Sequence, residues 1–294
     1  MTTLESATVD ANGLTFHCLE AGEGPLALCL HGFPDSANAY RFLLPELAKA
    51  GFRAVAIFMR GYAPTSVPRD GDYSSKALLS DVNALHQALG ADDQAVLVAH
   101  DWGTSAAVGA MAAEPDRWRR AMIGSVPPLA VLGGLMQRYD QLKRSFYFWL
   151  FQMEIAQQMV AANDLEFIDR LWADWSPNFD STEELKLIKP GLRDPKNLTA
   201  AMGYYRYMFN PKTYGSAHHT QELGSLLAIP IRQAVLYIHG KADGCIQLSD
   251  ADVPEILKYF GEGSKVHRPE DVGHFFLQES PELINPVIVD FLTS

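Results

Sequence analysis

The chain has 294 residues, a formal net charge of −11 and a pI near 5.2. That charge disfavours nucleic acid and anionic membrane surfaces as partners, and it argues against a strongly anionic substrate. The length suits one large α/β domain or two small ones. The three cysteines, Cys18, Cys29 and Cys245, show no close-paired spacing and therefore predict neither a disulfide framework nor a metal site.

Residues 1–10 carry neither a basic patch nor an apolar core, so no signal peptide is expected. No apolar run approaches the length of a membrane span. The composition, with 48% hydrophobic and 20% charged residues, is typical of a globular enzyme. We therefore predict a cytoplasmic protein.

The first 128 residues alternate between predicted strands and helices. Residues 7–21 are predicted to form a β-hairpin that turns at Asn12-Gly13. The elements expected after it are strands at 26–30, 53–58, 94–99 and 121–126 and helices at 40–50 and 74–89. Short apolar strands separated by helices indicate a parallel sheet with helices on both faces.

Residues 129–226 have almost no strand signal. Helices rich in aromatic residues are expected there, at 142–161, 164–175, 182–189 and 197–209. The alternation then resumes, with strands at 234–239 and 264–268 and helices near 253–260 and 281–292. We therefore predict an α/β core domain of residues 1–128 and 227–294, with residues 129–226 inserted as a helical cap. Because ligands of open α/β sheets bind at the carboxyl ends of the strands, we expect the cap to cover a pocket there.

The stretch around Asp101 combines a buried strand, a sharp turn and a helix. An apolar run ends in His100-Asp101-Trp102-Gly103, and a helix-like stretch follows at once. Small residues at Ala99 and Gly103 let the flanking backbones come close together. An aspartate in this position can simply cap the helix, but its place after a buried strand favours a carboxylate that attacks carbon.

Five short motifs, each at the end of a predicted strand, carry a resemblance that covers essentially the whole chain. They are His31-Gly32-Phe33-Pro34, Arg60-Gly61-Tyr62, His100-Asp101-Trp102-Gly103, Gly240-Lys241-Ala242-Asp243-Gly244 and Gly273-His274-Phe275. In this order they resemble the α/β-hydrolase superfamily and, within it, the soluble epoxide hydrolases and the dehalogenases that use an aspartate nucleophile. The resemblance implies the α/β-hydrolase fold, a mostly parallel eight-stranded sheet flanked by helices with an inserted all-helical cap.

The chain order Asp101, Asp243, His274 matches the nucleophile, acid and histidine of that fold. In this interpretation Asp101 forms an ester with the substrate, His274 activates the water that hydrolyses it, and Asp243 orients the imidazole. Other acidic residues nearby lack a buried strand before them and a glycine-flanked turn; they are Asp250, Asp252, Glu270 and Asp271. The histidines expected to be structural are His31, His100, His239, His218 and His219.

The oxyanion of ester hydrolysis needs fixed hydrogen-bond donors. The resemblance assigns this role to the backbone N–H groups of Phe33 and Trp102, and in the family the peptide bond before Pro34 is often cis. The side chains expected to line the substrate pocket are Trp102, Phe33, Pro34, Phe148, Phe151 and Phe275.

Two tyrosines of the predicted cap decide which reaction is expected. Tyr147, in an aromatic run, and Tyr205, directly after Tyr204, resemble the pair that binds and protonates the epoxide oxygen in epoxide hydrolases. Aromatic residues at helical spacing also pack cores, so a structural role is the alternative for both. Tyr204 is the nearest rival to Tyr205, and Tyr207 is a lesser one.

The sequence therefore favours an epoxide hydrolase that takes a small, mainly apolar epoxide and water and needs no metal or other cofactor. A haloalkane dehalogenase with the same triad is the alternative. It needs a second N–H donor for the halide, and in one class this donor is an asparagine at the position of Phe33. Trp172 and Trp175 are the candidates to replace that asparagine. A fluoroacetate dehalogenase would have arginine in place of Trp102. The third hypothesis is a non-catalytic ligand-binding protein. A homodimer is left open.

Overall fold

The computed structural model describes residues 4–227 and 229–294. Its strands are β1 (Glu5–Ala11), β2 (Leu14–Ala21), β3 (Leu26–Leu30), β4 (Arg53–Ile57), β5 (Val96–His100), β6 (Arg120–Gly124), β7 (Ala234–Ile238) and β8 (Lys265–His267). They form one sheet in the order β1-β2-β4-β3-β5-β6-β7-β8. The strands predicted from the sequence are all observed, with ends within two residues of the prediction.

The sheet is antiparallel at one edge and parallel elsewhere. β1 and β2 form the predicted hairpin, and β2 also runs antiparallel to β4. The neighbours from β4 to β8 are parallel, as expected for strands joined by helices. The carboxyl ends of the parallel strands therefore meet at one edge of the sheet, where the loops that carry the five motifs lie.

The α-helices of the described residues are α1 (Leu44–Lys49), α2 (Ser75–Ala88), α3 (Trp102–Ala113), α4 (Leu129–Leu135), α5 (Tyr139–Arg144), α6 (Phe146–Leu150), α7 (Ala156–Trp175), α8 (Thr182–Leu192), α9 (Pro195–Met208), α10 (Ala217–Leu227), α11 (Val253–Leu257), α12 (Phe276–Glu279) and α13 (Pro281–Thr293). Within residues 4–227 and 229–294, none of them is long and apolar enough to cross a membrane.

The sheet is buried on both faces because successive side chains of each strand point to opposite sides. Leu28 of β3 packs in the hydrophobic core that includes α2 and α3. Its neighbour Cys29 packs in a second core that includes α1 and α13. Because a core lies on each side of the sheet, the central strands need apolar side chains on both faces, which explains their continuous apolar sequences.

In its described residues, the chain between β6 and β7 contains helices joined by loops and no strand, as the absence of a strand signal predicts. The expected single helix at 142–161 is wrong, because α5, α6 and α7 share that stretch and a loop separates α6 from α7. The break expected before residue 164 is observed as non-helical backbone at 162–165 inside α7. Helices α4 and α10 were not predicted. Although most of α10 belongs to the predicted cap, it packs against α2 and α3, the helices that cover one face of the sheet. The division into core and cap stays a prediction.

Candidate active site

Asp101 stands where β5 gives way to α3, at the carboxyl edge of the sheet. Its backbone has a φ of 51° and a ψ of −120°, which is the strained turn that its small neighbours predict. A Cβ atom added to Gly103 would lie 2.1 Å from the carbonyl oxygen of Leu30, so only glycine fits against the adjacent strand. The turn therefore holds the Asp101 carboxylate close to the loop that follows β3.

Two backbone N–H groups donate to the Asp101 carboxylate. The N–H of Phe33 donates to Oδ1 over 2.7 Å, and the N–H of Trp102 donates to the same carboxylate. Gly32 permits this approach, because a Cβ atom there would lie 2.2 Å from Oδ1. Burial raises the pKa of Asp101, whereas the His274 imidazolium and the two N–H donors act in the opposite direction. The structure thus brings both expected oxyanion donors to the carboxylate, and the Phe33–Pro34 peptide bond is cis.

His274, in the loop after β8, is hydrogen-bonded to Asp243, in the loop after β7. Nδ1 of His274 lies 3.0 Å from Oδ2 of Asp243. The N–H groups of Cys245 and Ile246 donate to Oδ1 of Asp243 over 2.7 and 3.0 Å. Burial alone would raise the pKa of Asp243, but His274 and His239 outweigh it and leave the pKa lowered. Burial alone would lower the pKa of His274, but the Asp243 carboxylate outweighs it and leaves the pKa raised.

The second ring nitrogen of His274 faces the carboxylate of Asp101. Nε2 lies 3.8 Å from Oδ2 of Asp101. Within the described part of the chain it has no hydrogen-bond partner, although it is buried. With Nδ1–H donated to Asp243, a neutral His274 presents the Nε2 lone pair to whatever lies beside Asp101. The arrangement is suited to taking a proton from a water molecule at that place.

The rival acidic residues for the role of Asp243 are engaged elsewhere. Asp250, Asp252 and Glu270 form ion pairs with basic residues on the surface, namely Arg268, Arg138 and Lys241 respectively. Asp271 is exposed. Among the described residues the nearest carboxylate to Nδ1 of His274 is therefore the one that the chain order predicts.

The neighbouring histidines hold backbone groups in place. Nε2 of His100 lies 2.9 Å from the carbonyl oxygen of His274 and 3.1 Å from the hydroxyl of Ser125. Nε2 of His31 accepts the N–H of Met59 over 3.0 Å. Burial lowers the pKa of His31 to about 4 and that of His100 to about 3, so both rings are neutral. These contacts agree with the structural role expected for them.

Tyr147 of α6 and Tyr205 of α9 meet above Asp101. Their rings are 5.4 Å apart between centroids, and both side chains are buried. Tyr205 also packs against the ring of Trp102, at 5.0 Å between centroids. The hydroxyl of Tyr147 lies 3.4 Å from Sγ of Cys245. Both tyrosines line the same cavity as Asp101, so the structure brings the two tyrosines of the predicted cap to the predicted nucleophile.

Tyr204 and Tyr207, the rivals of Tyr205, are committed to other contacts. The hydroxyl of Tyr204 donates to the carbonyl oxygen of Arg60 over 2.8 Å. That of Tyr207 donates to Glu222 over 2.6 Å. Neither tyrosine lines the cavity that contains Asp101. The geometry therefore favours Tyr205 over both.

The cavity above Asp101 has a volume of about 50 Å³. Apart from Asp101 and the two tyrosines, its polar side chains are Thr104 and Ser105 of α3. The remaining lining is apolar and comprises Trp102, Val108, Val126, Pro127, Pro128, Leu129, Leu132, Phe148, Met208, Phe209 and Ile246. An apolar lining with a few polar groups at one end is typical of a small-molecule site.

Only Trp102 and Phe148 of the six expected pocket residues line this cavity. Phe33 and Phe151 instead pack edge to face at 5.5 Å between ring centroids. Phe275 stacks on Trp172, whose indole N–H donates to the carbonyl oxygen of Pro34 over 3.1 Å. The four expected residues that do not line the cavity are Phe33, Pro34, Phe151 and Phe275. Their role in binding substrate stays a prediction.

Cys245 and Trp175 are site residues that the sequence did not single out for this role. Cys245 places its thiol against the hydroxyl of Tyr147. The ring of Trp175 packs at 5.0 Å from that of His274, and its carbonyl oxygen accepts the N–H of His274 over 3.0 Å. The one available signal was the position of Cys245 two residues after Asp243, since a neighbour of the predicted acid must lie near the site.

Asp243, Cys245 and His274 also bring metal-ligand types of atom within 4.8 Å of one another. These atoms are already engaged, because Asp243 binds Nδ1 of His274 and the thiol lies on Tyr147. Burial raises the pKa of Cys245 well above its usual range, whereas a metal would need the thiolate. The donor set is therefore better explained by the hydrogen-bond network than by a metal site.

Comparison with known proteins covers nearly the whole chain. A family profile described as "alpha/beta hydrolase fold" matches residues 25–281. The chain is 28% identical over 293 residues to epoxide hydrolase 3 of Xenopus tropicalis, which covers 96% of this chain and 75% of that protein. Its structure is similar to that of an epoxide hydrolase from Vigna radiata, with a TM-score of 0.81 and 25% identity over 98% of both chains. A putative epoxide hydrolase from Klebsiella pneumoniae has a TM-score of 0.82 at 21% identity, over 98% of this chain and 97% of that one.

Proposed function

Because the chain belongs to the alpha/beta hydrolase family, we propose that it is an epoxide hydrolase, which converts an epoxide to a vicinal diol through an ester on Asp101. Membership of this family also confirms the predicted fold. The observation that carries the proposal is that Asp101, Tyr147 and Tyr205 line one cavity. The names of the relatives in Xenopus tropicalis and Vigna radiata support the same reaction.

In the first step the Asp101 carboxylate attacks one carbon atom of the epoxide. The bond from that carbon to the ring oxygen breaks, and a phenol of Tyr147 or Tyr205 donates its proton to the oxygen as negative charge develops there. Burial raises the pKa of both tyrosines well above 10, so each carries its proton at neutral pH. The products of this step are a hydroxyalkyl ester on Asp101 and one phenolate.

In the second step water hydrolyses the ester. Neutral His274 takes a proton from water as the oxygen attacks the carbonyl carbon of the Asp101 ester. The N–H groups of Phe33 and Trp102 stabilise the resulting oxyanion, as their contacts with the free carboxylate support. The bond from the intermediate to the substrate oxygen then breaks, and that oxygen takes the proton of the hydroxyl group that water added, so the diol leaves and Asp101 is again a carboxylate. The proton on His274 returns to the phenolate. No metal or other cofactor takes part in this scheme.

The apolar lining favours a small, mainly apolar substrate, because little on the cavity wall would solvate a charged one. Location in the cytoplasm and assembly into a homodimer remain predictions from the sequence. They do not bear on the chemistry of the site, since the residues of both proposed steps come from one chain.

The alternative reaction, dehalogenation with the same triad, has less support. A halide needs N–H donors, and the candidate Trp172 already donates its indole N–H to the carbonyl oxygen of Pro34. The other candidate, Trp175, does not line the cavity that contains Asp101. The two phenols that do line it are proton donors, which an epoxide oxygen requires and a halide does not.

Asp101→Asn tests the proposed nucleophile. We expect diol formation from styrene oxide to fall by about 10⁴-fold, because the amide cannot form the ester. The control is Asp250→Asn, which removes an exposed carboxylate paired with Arg268 and should leave the rate within about twofold. Undiminished diol formation by Asp101→Asn, with the amide shown intact by mass spectrometry, would exclude the mechanism. Release of halide from a bromoalkane without epoxide turnover would favour the dehalogenase.

A further inference from the structure

We propose that this site selects epoxides with one long apolar substituent, such as terminal epoxides, and excludes epoxides with long substituents on both ring carbons. The inference rests on the proposed function and concerns its substrate class. Its basis is the shape of the cavity, which extends from Asp101 in one direction only within the described residues.

The open direction lies on the β6 side of β5. In the sheet, β5 has β3 on one side and β6 on the other. The cavity is lined by the loop after β6, by α4 and by Ile246 after β7, whereas no residue of the loops after β3 and β4 lines it. A substrate with its epoxide between Asp101 and the tyrosines can therefore extend one substituent along α3 towards α4.

The opposite direction, towards the loop after β3, is filled by aromatic side chains. Phe33 packs against Phe151 at 5.5 Å and against Tyr205 at 5.3 Å between ring centroids. Next to Pro34, the indole of Trp172 stacks on the ring of Phe275 and donates its N–H to the carbonyl oxygen of Pro34 over 3.1 Å. Phe33, Phe151 and Trp172 have no exposed surface. A second long substituent would have to displace a packed and hydrogen-bonded wall.

A separate cleft on the β3 side does not supply the missing direction. It lies between the loops after β3 and β4 and helix α8, and it is lined by Asp35, Tyr62 and Ile188, among others. None of the three reactive side chains, Asp101, Tyr147 and Tyr205, borders it. The packed aromatic wall thus separates this cleft from the reaction cavity.

The chemistry of the open direction matches an unbranched hydrocarbon chain. The hydroxyl of Thr104 is engaged with backbone groups of Gly124, so it is not directed to a ligand. Val108, Leu132 and Met208 supply apolar surface farther along. Each carbon atom buried there contributes about a fourfold gain in kcat/KM, since burial of one CH₂ group is favourable by that factor.

Three isomers with eight carbon atoms test the proposal on the unmodified enzyme: 1,2-epoxyoctane, trans-2,3-epoxyoctane and trans-4,5-epoxyoctane. The two trans isomers have equally hindered ring carbons but place a methyl or a propyl group on the blocked side. We expect kcat/KM for the 2,3-isomer to exceed that for the 4,5-isomer by roughly 15-fold, fourfold for each of two carbon atoms denied burial. The 1,2-isomer should react fastest. Equal values for the two trans isomers would overturn the proposal.

Two variants move the selectivity in opposite directions. Val108→Phe fills the open direction, so kcat/KM for 1,2-epoxyoctane should fall about tenfold more than that for 1,2-epoxypropane, whose methyl group has five fewer carbon atoms to bury there than a hexyl chain. Phe151→Ala opens the wall, so the ratio of the 4,5-isomer to the 2,3-isomer should rise. The ratio is measured within one protein, so a loss of folded enzyme does not change it. If the ratio of 1,2-epoxyoctane to 1,2-epoxypropane is unchanged in Val108→Phe and the ratio of the 4,5-isomer to the 2,3-isomer is unchanged in Phe151→Ala, the assignment of the two directions is overturned.

The same measurements separate this proposal from the proposed function. Turnover of none of the three isomers, nor of styrene oxide, would count against an epoxide hydrolase altogether. Turnover of all three with no difference between the trans isomers would leave the reaction in place and remove only the selectivity.

Discussion

The two halves of the site are held by different forces. On the side of the sheet, Asp101 and His274 are fixed by hydrogen bonds to backbone N–H groups and to Asp243. On the side of the inserted helices, Tyr147 and Tyr205 are fixed mainly by the packing of aromatic rings. Hydrogen bonds fix the direction of a group to within a narrow angle, whereas packed apolar side chains tolerate changes of shape that keep the total volume.

This difference suggests a division of labour in the proposed reaction. Forming and hydrolysing an ester requires the carboxylate, the imidazole and the oxyanion donors in one fixed arrangement. The aromatic half, with Tyr147 and Tyr205, determines which leaving group is protonated and which substituents fit. We therefore expect changes on the sheet side to abolish turnover, and changes on the helix side to reduce it in smaller steps and to alter selectivity.

His274→Ala, on the sheet side, should have the largest effect. Without the base the ester still forms but is not hydrolysed, so turnover should fall by about 10⁴-fold. The intact protein should then gain the mass of one substrate after exposure to an epoxide, and the gain should map to the peptide with Asp101. If the variant gains no mass although it is folded, His274 is needed before the ester forms and the proposed order of steps is wrong.

Replacement of the tyrosines should give intermediate effects. Tyr147→Phe and Tyr205→Phe each remove one proton donor while the other remains, so we expect a loss of roughly 10- to 100-fold in kcat/KM for each. The double variant should lose more than either single variant, and it should form no ester detectable by mass. These losses would show that the aromatic half acts chemically as well as by packing.

Tyr204→Phe is the matched control for the tyrosine series. Its hydroxyl donates to the carbonyl oxygen of Arg60 outside the cavity. The change should leave kcat/KM within about threefold and lower the free energy of unfolding by about 1 kcal/mol. A loss of activity in Tyr204→Phe as large as in Tyr205→Phe would contradict the assignment of the second tyrosine.

The sheet-side half of the site was the more predictable from the sequence. The motifs around Asp101 and His274 depend on local features, such as a buried strand followed by a small residue and a turn, which can be read directly from neighbouring letters. The same kind of local pattern predicts the strands within two residues of their observed ends. Asp243 could be chosen over its rivals because it alone follows a buried strand.

The helix-side half was less predictable because aromatic residues there compete for equivalent positions. No local pattern indicates that Phe151 turns towards Phe33 while Phe148 faces the cavity, since both sit on neighbouring turns of one aromatic run. The end of α5 and the loop before α7 likewise follow from tertiary packing and not from helical propensity. Helix α4, rich in glycine, carried too weak a signal to be predicted.

The pH dependence of the reaction should separate formation of the ester from its hydrolysis. Unlike the substitutions, a change of pH alters the rate of each step gradually. Asp101 attacks only when deprotonated, and His274 accepts a proton only when neutral, so each step fails as pH falls through the corresponding pKa. The pKa of Asp101 is raised from 3.8 and that of His274 is raised from 6.5. Because attraction between the carboxylate and the imidazolium favours both charged forms, protonation of His274 precedes that of Asp101 as the pH falls.

Lowering the pH should therefore slow hydrolysis of the ester before it slows formation of the ester. As the pH falls through the pKa of His274, which is raised above 6.5, the fraction of enzyme that carries the ester at steady state should rise, while total turnover falls up to about tenfold per pH unit. Acid quenching followed by mass measurement of the intact protein gives that fraction directly. If the ester fraction falls together with turnover, the acid limb belongs to ester formation, and the base on the sheet side is not the group that limits the reaction.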